Sequence, residues 1–462
     1  MDIIHEELKN DYAFSRRYEN FIKRFQVNGL LRSVGASKEK GVSVRLIFAF
    51  LFGLVFDHKN LYETMKSKRN MVAFSKNTVY RFLSRATINW EAFIQKLSAS
   101  VIPEIDKLTS EERKSAFVLD DTPYYRNRSK KVEMLSRCYD HSKNRYYKGF
   151  TMLSLGWSDG QTFIPVSFRM LASGNMKNLL VTSNAKNDMR TLATKRRADA
   201  RTEKPKLALR MLEAAKRMPK QAKYVLFDSW FASPAFMLSV KKLGFEIVAR
   251  IKNHENYRYI YEGEKLSLSQ IYNTNKKRRG QSKYLLSVSA EIQHKDSIES
   301  VTAKIVFVRD RSNRKKWIAL ITTDTNLTEE EVIALYAKRW DIEPFHKVLK
   351  STLQLTKEFQ LRSFDSITAH TAIVITRYIF LSVESRESND DRSIGGLYLL
   401  ICEELEDISF QYAFELLLAI FKQYFQEIHV LTNKYFEQLV QQFIASLPAF
   451  IKAKLFMPVW ES

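Results

Sequence analysis

The chain has 462 residues, 45% of them hydrophobic and 13% aromatic, which is enough to bury a full core and excludes wholesale disorder. At roughly 100–200 residues per domain, that length implies two to four structural units. Lys and Arg number 74 against 51 Asp and Glu; the resulting +23 points to a polyanionic partner, nucleic acid ahead of an anionic membrane.

The opening residues Met1 to Glu7 show no basic stretch followed by an apolar one, so no signal peptide is expected. The longest apolar run, Leu46 to Phe56, falls short of the ~20 residues a membrane helix needs. Cys138 and Cys402 stand far apart, which excludes a disulfide scaffold or thiolate zinc site and fits a reducing compartment. From Asn10 to about Ile105 the apolar spacing is helical, and Val44 to Phe56 reads as a buried helix. A second helix opens behind Ser75 as N-cap. In it Val79, Phe82 and Leu83 face inward, and Lys76, Asn77, Tyr80, Arg81 and Arg85 face out. Two readings stay open for that outer face: a recognition helix of a helix-turn-helix, or an ordinary solvated surface.

The period then changes. Ala116 to Leu119 is a short strand ending in Asp120-Asp121-Thr122, followed by a basic loop with Arg126, Arg128, Lys130 and Lys131. Phe150 to Trp157 and Thr162 to Arg169 form a hairpin around Ser158-Asp159-Gly160. A cationic helical stretch follows, with Lys195, Arg196, Arg197 and Arg201 at its start; this face is either solvated or in contact with DNA. The strand Tyr224 to Phe227 ends in Asp228, a helix spans Pro234 to Leu243, and Glu246 to Ile251 is a further strand. Residues 252–316 read as a strand-rich insertion whose loop Lys276-Lys277-Arg278-Arg279-Gly280 either is solvated or lies against phosphates. After the strand Trp317 to Thr322, a long helix opens at Thr328 with Glu331 completing a capping box. From about Ile367 the chain is helical again. Asp140-His141 reads as part of a solvated loop.

Position singles out three carboxylates. Asp120 and Asp228 each end an apolar strand, and they converge if those strands are neighbours. On the long helix, Tyr336, Arg339, Glu343 and Lys350 fall within one stripe at ~100° per residue, although Pro344 can kink it. The bland reading is a salt-bridged helix face, with Arg339 and Glu343 as an i,i+4 pair. The chemical reading is an oxygen-only set for hard divalent ions, Mg²⁺ or Mn²⁺, with flanking cations for phosphates. Two such ions serve phosphodiester hydrolysis or transfer. Asp120 is preferred over Asp121 as the first acid because it gives the Asp-x-Thr spacing, and neighbours on a strand face opposite sides.

Tyr336-x2-Arg339-x3-Glu343-x6-Lys350 resembles the Tyr-Arg-Glu-Lys signature of DDE transposases of bacterial insertion-sequence family four. Val118-Leu119-Asp120-Asp121-Thr122 is similar to that family's first-acid segment, and Val225 to Phe231 to its second. The gaps also match, with 107 residues between Asp120 and Asp228 and 114 between Asp228 and Glu343. The resemblance implies an α/β fold: a ribonuclease H-like core at 111–350 with a β-rich insertion at about 252–316, a helical DNA-binding domain at 1–110 and a helical region at 351–462. It further implies that Asp120, Asp228 and Glu343 hold two Mg²⁺ ions (Mn²⁺ as substitute), and that Tyr336, Arg339 and Lys350 grip phosphates of the cleaved DNA end. Lys76, Asn77, Arg81 and Arg85 are the expected end-reading residues. The implied activity is cut-and-paste transposition on double-stranded DNA, with nicking, hairpin formation and strand transfer. A homodimer pairs the two ends, in a cytoplasmic, nucleoid-associated protein without a membrane. Trp230, Trp317 and Trp340 are candidates for stacking a flipped base, each with a core reading beside it. The alternatives are a non-catalytic DNA-binding descendant, or a metal-dependent nuclease without strand transfer.

Overall fold

The computed structural model describes residues 13–38, 40–56, 61–62, 74–110, 112–183, 190–220, 222–254, 257–278, 282–294, 299–310, 313, 316–388, 392–403, 410, 414–415, 417–419 and 433–447. Met1 to Glu7, Arg279 and Gly280 lie outside them.

The centre is one mixed sheet. Its first strands are β1 (Ala116–Tyr125), β2 (Ser136–Asp140), β3 (Arg145–Ser158) and β4 (Phe163–Leu171), with β1 and β4 both antiparallel to β3. Next come β5 (Tyr224–Phe227) and β6 (Glu246–Ile251), parallel to β1 and to each other. The spatial order β4-β3-β1-β5-β6 is a ribonuclease H-like core. Ala116 to Leu119 and Tyr224 to Phe227 are wholly buried, as parallel strands covered on both faces must be. The hairpin at Ser158-Asp159-Gly160 forms as the turn residues predict, with Asp159 Oδ1 accepting from the backbone N–H of Gln161 and Thr162. Gly156 sits at a bulge between β3 and β4, where a Cβ would come within 2.1 Å of the Phe163 ring.

The segment expected as an insertion joins this sheet. β7 (Tyr259–Tyr261), β8 (Glu264–Leu266), β9 (Leu286–Gln293) and β10 (Ser300–Arg309) extend it through β11 (Trp317–Thr322), which pairs antiparallel with β6.

Helices cover the sheet and its N-terminal side. Those used below are α1 (Val44–Gly53), α2 (Lys76–Leu83), α3 (Trp90–Lys107), α4 (Leu192–Asp199), α5 (Lys204–Ala215), α6 (Glu329–Ala337), α7 (Ile342–Ser351) and α8 (Phe364–Glu387). Ser75 occupies the N-cap of α2, but its side chain makes no capping bond. α3 packs on β4 and on α8, and α2 and α1 also meet α8. One continuous apolar core runs from Phe21 to Cys402 across the expected boundaries at 110 and 350.

α8 corrects the reading that no segment reaches membrane length. It is long and apolar enough to cross a bilayer, but its apolar window is wholly buried in the protein, so it is a core helix. Arg377 on α8 is fully buried. It donates to both oxygens of Glu358 at 2.8 Å, to the Phe52 carbonyl at 3.0 Å and to the Leu51 carbonyl, and so caps the C-terminal end of α1.

Candidate active site

β1 and β5 are parallel neighbours with Leu119 opposite Phe227, so Asp120 and Asp228 are the next residues in register. Adjacent strands lie ~4.8 Å apart, which brings the two carboxylates side by side. One detail differs from expectation. β1 does not stop at Leu119 but runs on to Tyr125, because β3 is long enough to pair with it as far as Gly149. Asp120 therefore lies mid-strand, at the point where only β5 ends. Asp228 accepts at Oδ1 from the Trp230 N–H (2.9 Å), a side-chain turn that holds it as the chain leaves the strand.

Alternation separates the two adjacent acids. Asp120 approaches Arg339, with Nη1 to Oδ2 at 3.4 Å, and takes the backbone N–H of Asp121 at 2.8 Å. Asp121 pairs with Lys204 Nζ at 2.9 Å, and the same ammonium sits 3.9 Å over the Trp230 ring. Burial pushes the Asp120 carboxyl up to about 7, against the pull of Arg339 and the Asp121 N–H; the charges of Asp121 and Asp228 add to the rise.

The long helix of the sequence reading is broken. α6 ends at Ala337, a 3₁₀ turn covers Lys338–Asp341, and α7 begins at Ile342. Pro344 explains the break: it has no N–H for the carbonyl four residues earlier, and its ring crowds that carbonyl. The single stripe drawn on a continuous helix is thus replaced by two helices joined at a bend. The Thr328–Glu331 capping box forms as expected. Arg339 lies in the bend, buried, with Nη2 3.1 Å from Glu343 Oε1, so one guanidinium spans Asp120 and Glu343. Its Nε is buried without a partner. Tyr336 is half-buried with its ring centroid 5.9 Å from the Arg339 guanidinium; burial raises its hydroxyl, while Arg339 and Arg250 pull it down. Lys350 donates to Thr122 Oγ1, two residues along the Asp120 face. Burial and the nearby Lys143 lower it to about 8, against the pull of Asp140.

Among the described residues no three His, Cys, Asp or Glu side chains gather closely enough to hold an ion, because Glu343 turns to Arg339. The donor chemistry nevertheless fits a hard divalent cation. Two oxygen ligands stand in register, a third is at the bend, the set holds no thiolate, and the ionised form of Asp120 lacks full compensating charge.

A family model described as DDE superfamily endonuclease matches residues 49–315, more than half of the chain. The chain belongs to that family. DDE superfamily endonucleases generally use divalent metal ions and act on DNA, which fits the donor set and the charge. The matched segment contains Asp120 and Asp228 and stops short of Tyr336 to Lys350. A search of curated proteins finds no match.

Other expectations fare differently in this DDE endonuclease. Lys76, Asn77 and Arg81 are exposed on α2. Arg81 lines a cleft with Lys38 and Arg85, and Arg85 donates to the Ser37 carbonyl. Lys195 and Arg201 are exposed, but Arg196 and Arg197 fit neither the solvated nor the DNA-facing reading. They are buried; Arg197 binds both oxygens of Glu133 at 2.7 and 2.8 Å and Asp365 at 2.8 Å, and Arg196 also binds Asp365. Asp140 is buried too, accepting from the Tyr125 hydroxyl and Ser142, whereas His141 stays exposed. Trp317 packs against Tyr272 and Phe307, but Trp230 and Trp340 are exposed rather than core.

Sequence reasoning missed the individual roles of Lys204 and His346. Lys204 carries no local signal beyond its charge. His346, one turn beyond Glu343, is buried with Nε2 3.2 Å from Ser154 Oγ, and Ser154 is the register partner of Asp120. Burial, helped by Lys350, lowers this imidazole to about 3 and keeps it neutral beneath the site. Its spacing from Glu343 was the available clue.

Proposed function

We propose that this chain is a cut-and-paste DNA transposase that nicks the ends of its element and joins the freed 3′-hydroxyl to target DNA. The in-register placement of Asp120 and Asp228 across parallel strands, with Arg339 and Glu343 brought over them by the helix break, carries the reading. Asp120, Asp228 and Glu343 are the residues that would hold two Mg²⁺ ions. When bound there, such ions would lower the pKa of a water or hydroxyl nucleophile and offset charge on the leaving oxygen.

The chain's own groups do the remaining work. Arg339 offsets the charge of Asp120 and Glu343, and its guanidinium is the group placed to meet a phosphate oxygen near the scissile bond. Lys350, screened by Thr122, supplies a point charge one step further along the strand, and Tyr336 donates a hydroxyl from the same side. The Tyr336, Arg339, Glu343 and Lys350 spacing supports assignment to insertion-sequence family four, whose members proceed through a DNA hairpin. Residues 1–110, with Lys76, Asn77, Arg81 and Arg85, are assigned to end recognition, 111–350 to catalysis, and 351–462 to pairing two copies on DNA. The protein works in the cytoplasm at the nucleoid.

The test uses purified protein, Mg²⁺ and a duplex ending in the element's own terminal repeat, with Glu343→Ala alongside. Nicks and hairpins from the parent, with binding but no cleavage from Glu343→Ala, are expected. Binding by both without cleavage by either, Mn²⁺ included, reassigns the chain as a DNA-binding descendant.

A further inference from the structure

The hairpin of β2 and β3 carries a surface that the catalytic reading does not use. Tyr139 and Tyr146 face each other across the two strands, with ring centroids 5.0 Å apart at an interplanar angle of 68°. They are 41% and 59% exposed, high for two large rings set side by side. The next pair on the same face is Arg137 opposite Lys148, both exposed, and the Arg137 guanidinium lies 4.2 Å from the Tyr146 ring centroid. His141 packs edge-on against Tyr139. Burial does not account for these rings, and the surrounding charge is of one sign.

Register ties this platform to the acids. Asp120 is opposite Ser154 and Thr122 opposite Met152, and paired residues share a face. The alternation along β3 carries that face from Ser154 and Met152 to Lys148 and Tyr146, and the irregularity in the strand lies beyond, at Leu155/Gly156. Tyr146 is thus on the Asp120 face, eight residues along one strand from Ser154, or roughly 26 Å at ~3.3 Å per residue.

We infer that the Tyr139–Tyr146 platform binds unpaired nucleotides of the DNA strand leaving the active site. Exposed rings offer stacking to base faces, which are covered in a duplex and open in a single strand. Arg137 and Lys148 supply the phosphate partners that such a track needs. The inference rests on the proposed function only in taking DNA as the partner.

The experiment measures binding in EDTA by fluorescence anisotropy with full-length protein. The probes are an oligothymidylate of about twelve nucleotides, a blunt duplex, and the same duplex with an oligothymidylate tail. Tyr139→Ala/Tyr146→Ala is expected to weaken binding of the oligothymidylate and the tailed duplex by about tenfold or more. Blunt-duplex binding is expected to be unchanged, and Tyr139→Phe/Tyr146→Phe to match the parent. Unchanged affinity for both single-stranded probes overturns the proposal, even if the parent cleaves DNA. An equal loss on the blunt duplex also overturns it, in favour of a backbone contact. Because no cleavage is read, a parent that fails to cut leaves the outcome interpretable. Circular dichroism of the alanine variant guards against misfolding, and the phenylalanine variant provides the second comparison.

Discussion

Two arginine–carboxylate clusters in this protein differ in how completely they are satisfied. At α4, Arg197 engages both oxygens of Glu133 and one of Asp365, Arg196 engages the other Asp365 oxygen, and the Phe364 N–H also donates to Glu133. At the bend, Arg339 reaches Asp120 at 3.4 Å and Glu343 at 3.1 Å, leaves its Nε orphaned, and faces a carboxyl pushed up to about 7. Arg196 Nε also lacks a hydrogen bond, but the carboxylates of the first cluster are well compensated: against the effect of burial, Arg197 and the Phe364 N–H hold Glu133 below its ordinary range. The second is under-compensated: Asp120 is raised by burial despite Arg339, which leaves room for further positive charge.

The largest effect should come from opening the first cluster. Arg197→Met leaves Glu133 and Asp365 buried without full compensation and is expected to cost about 3–5 kcal/mol in urea unfolding. An equal cost for Arg339→Met would erase the distinction.

Next is Asp120→Asn, measured without metal. The folded carboxyl sits near 7 against an ordinary 3.8, so the folded state holds the proton more tightly. Its favourable contribution is complete below the ordinary value and is lost as pH rises through 7. Asp120→Asn should therefore stabilise the metal-free protein by on the order of 2–4 kcal/mol at pH 8 and by little near pH 4. A gain that does not depend on pH would contradict the assigned burial. The smallest effect belongs to an arginine in neither cluster. Arg81→Ala, on an exposed face, should leave stability within about 0.5 kcal/mol and lower the salt dependence of DNA binding by about one charge. An unchanged salt slope would remove α2 from the DNA interface.

How much the sequence disclosed followed how local each cause was. The Ser158-Asp159-Gly160 hairpin, the Thr328–Glu331 capping box and the strands before Asp120 and Asp228 depend on neighbours and were legible. So was the consequence of Pro344, although its position in the first turn of α7 ended one helix and began another rather than kinking one. The fate of Arg196 and Arg197 was not legible, because Glu133 and Asp365 lie 64 and 168 residues from Arg197. The extension of β1 past Asp120 likewise depends on the length of β3, and the merging of residues 252–316 into the sheet depends on β11 returning beside β6.

Arg377 sets an order of assembly during synthesis. The last carbonyls of α1 at Leu51 and Phe52 find their buried partner 326 and 325 residues later. A ribosome must translate most of the chain before the N-terminal helices can close. Until then the apolar side of α1 has no α8 to cover it, which makes the half-made chain, rather than the finished one, the species that chaperones must shield.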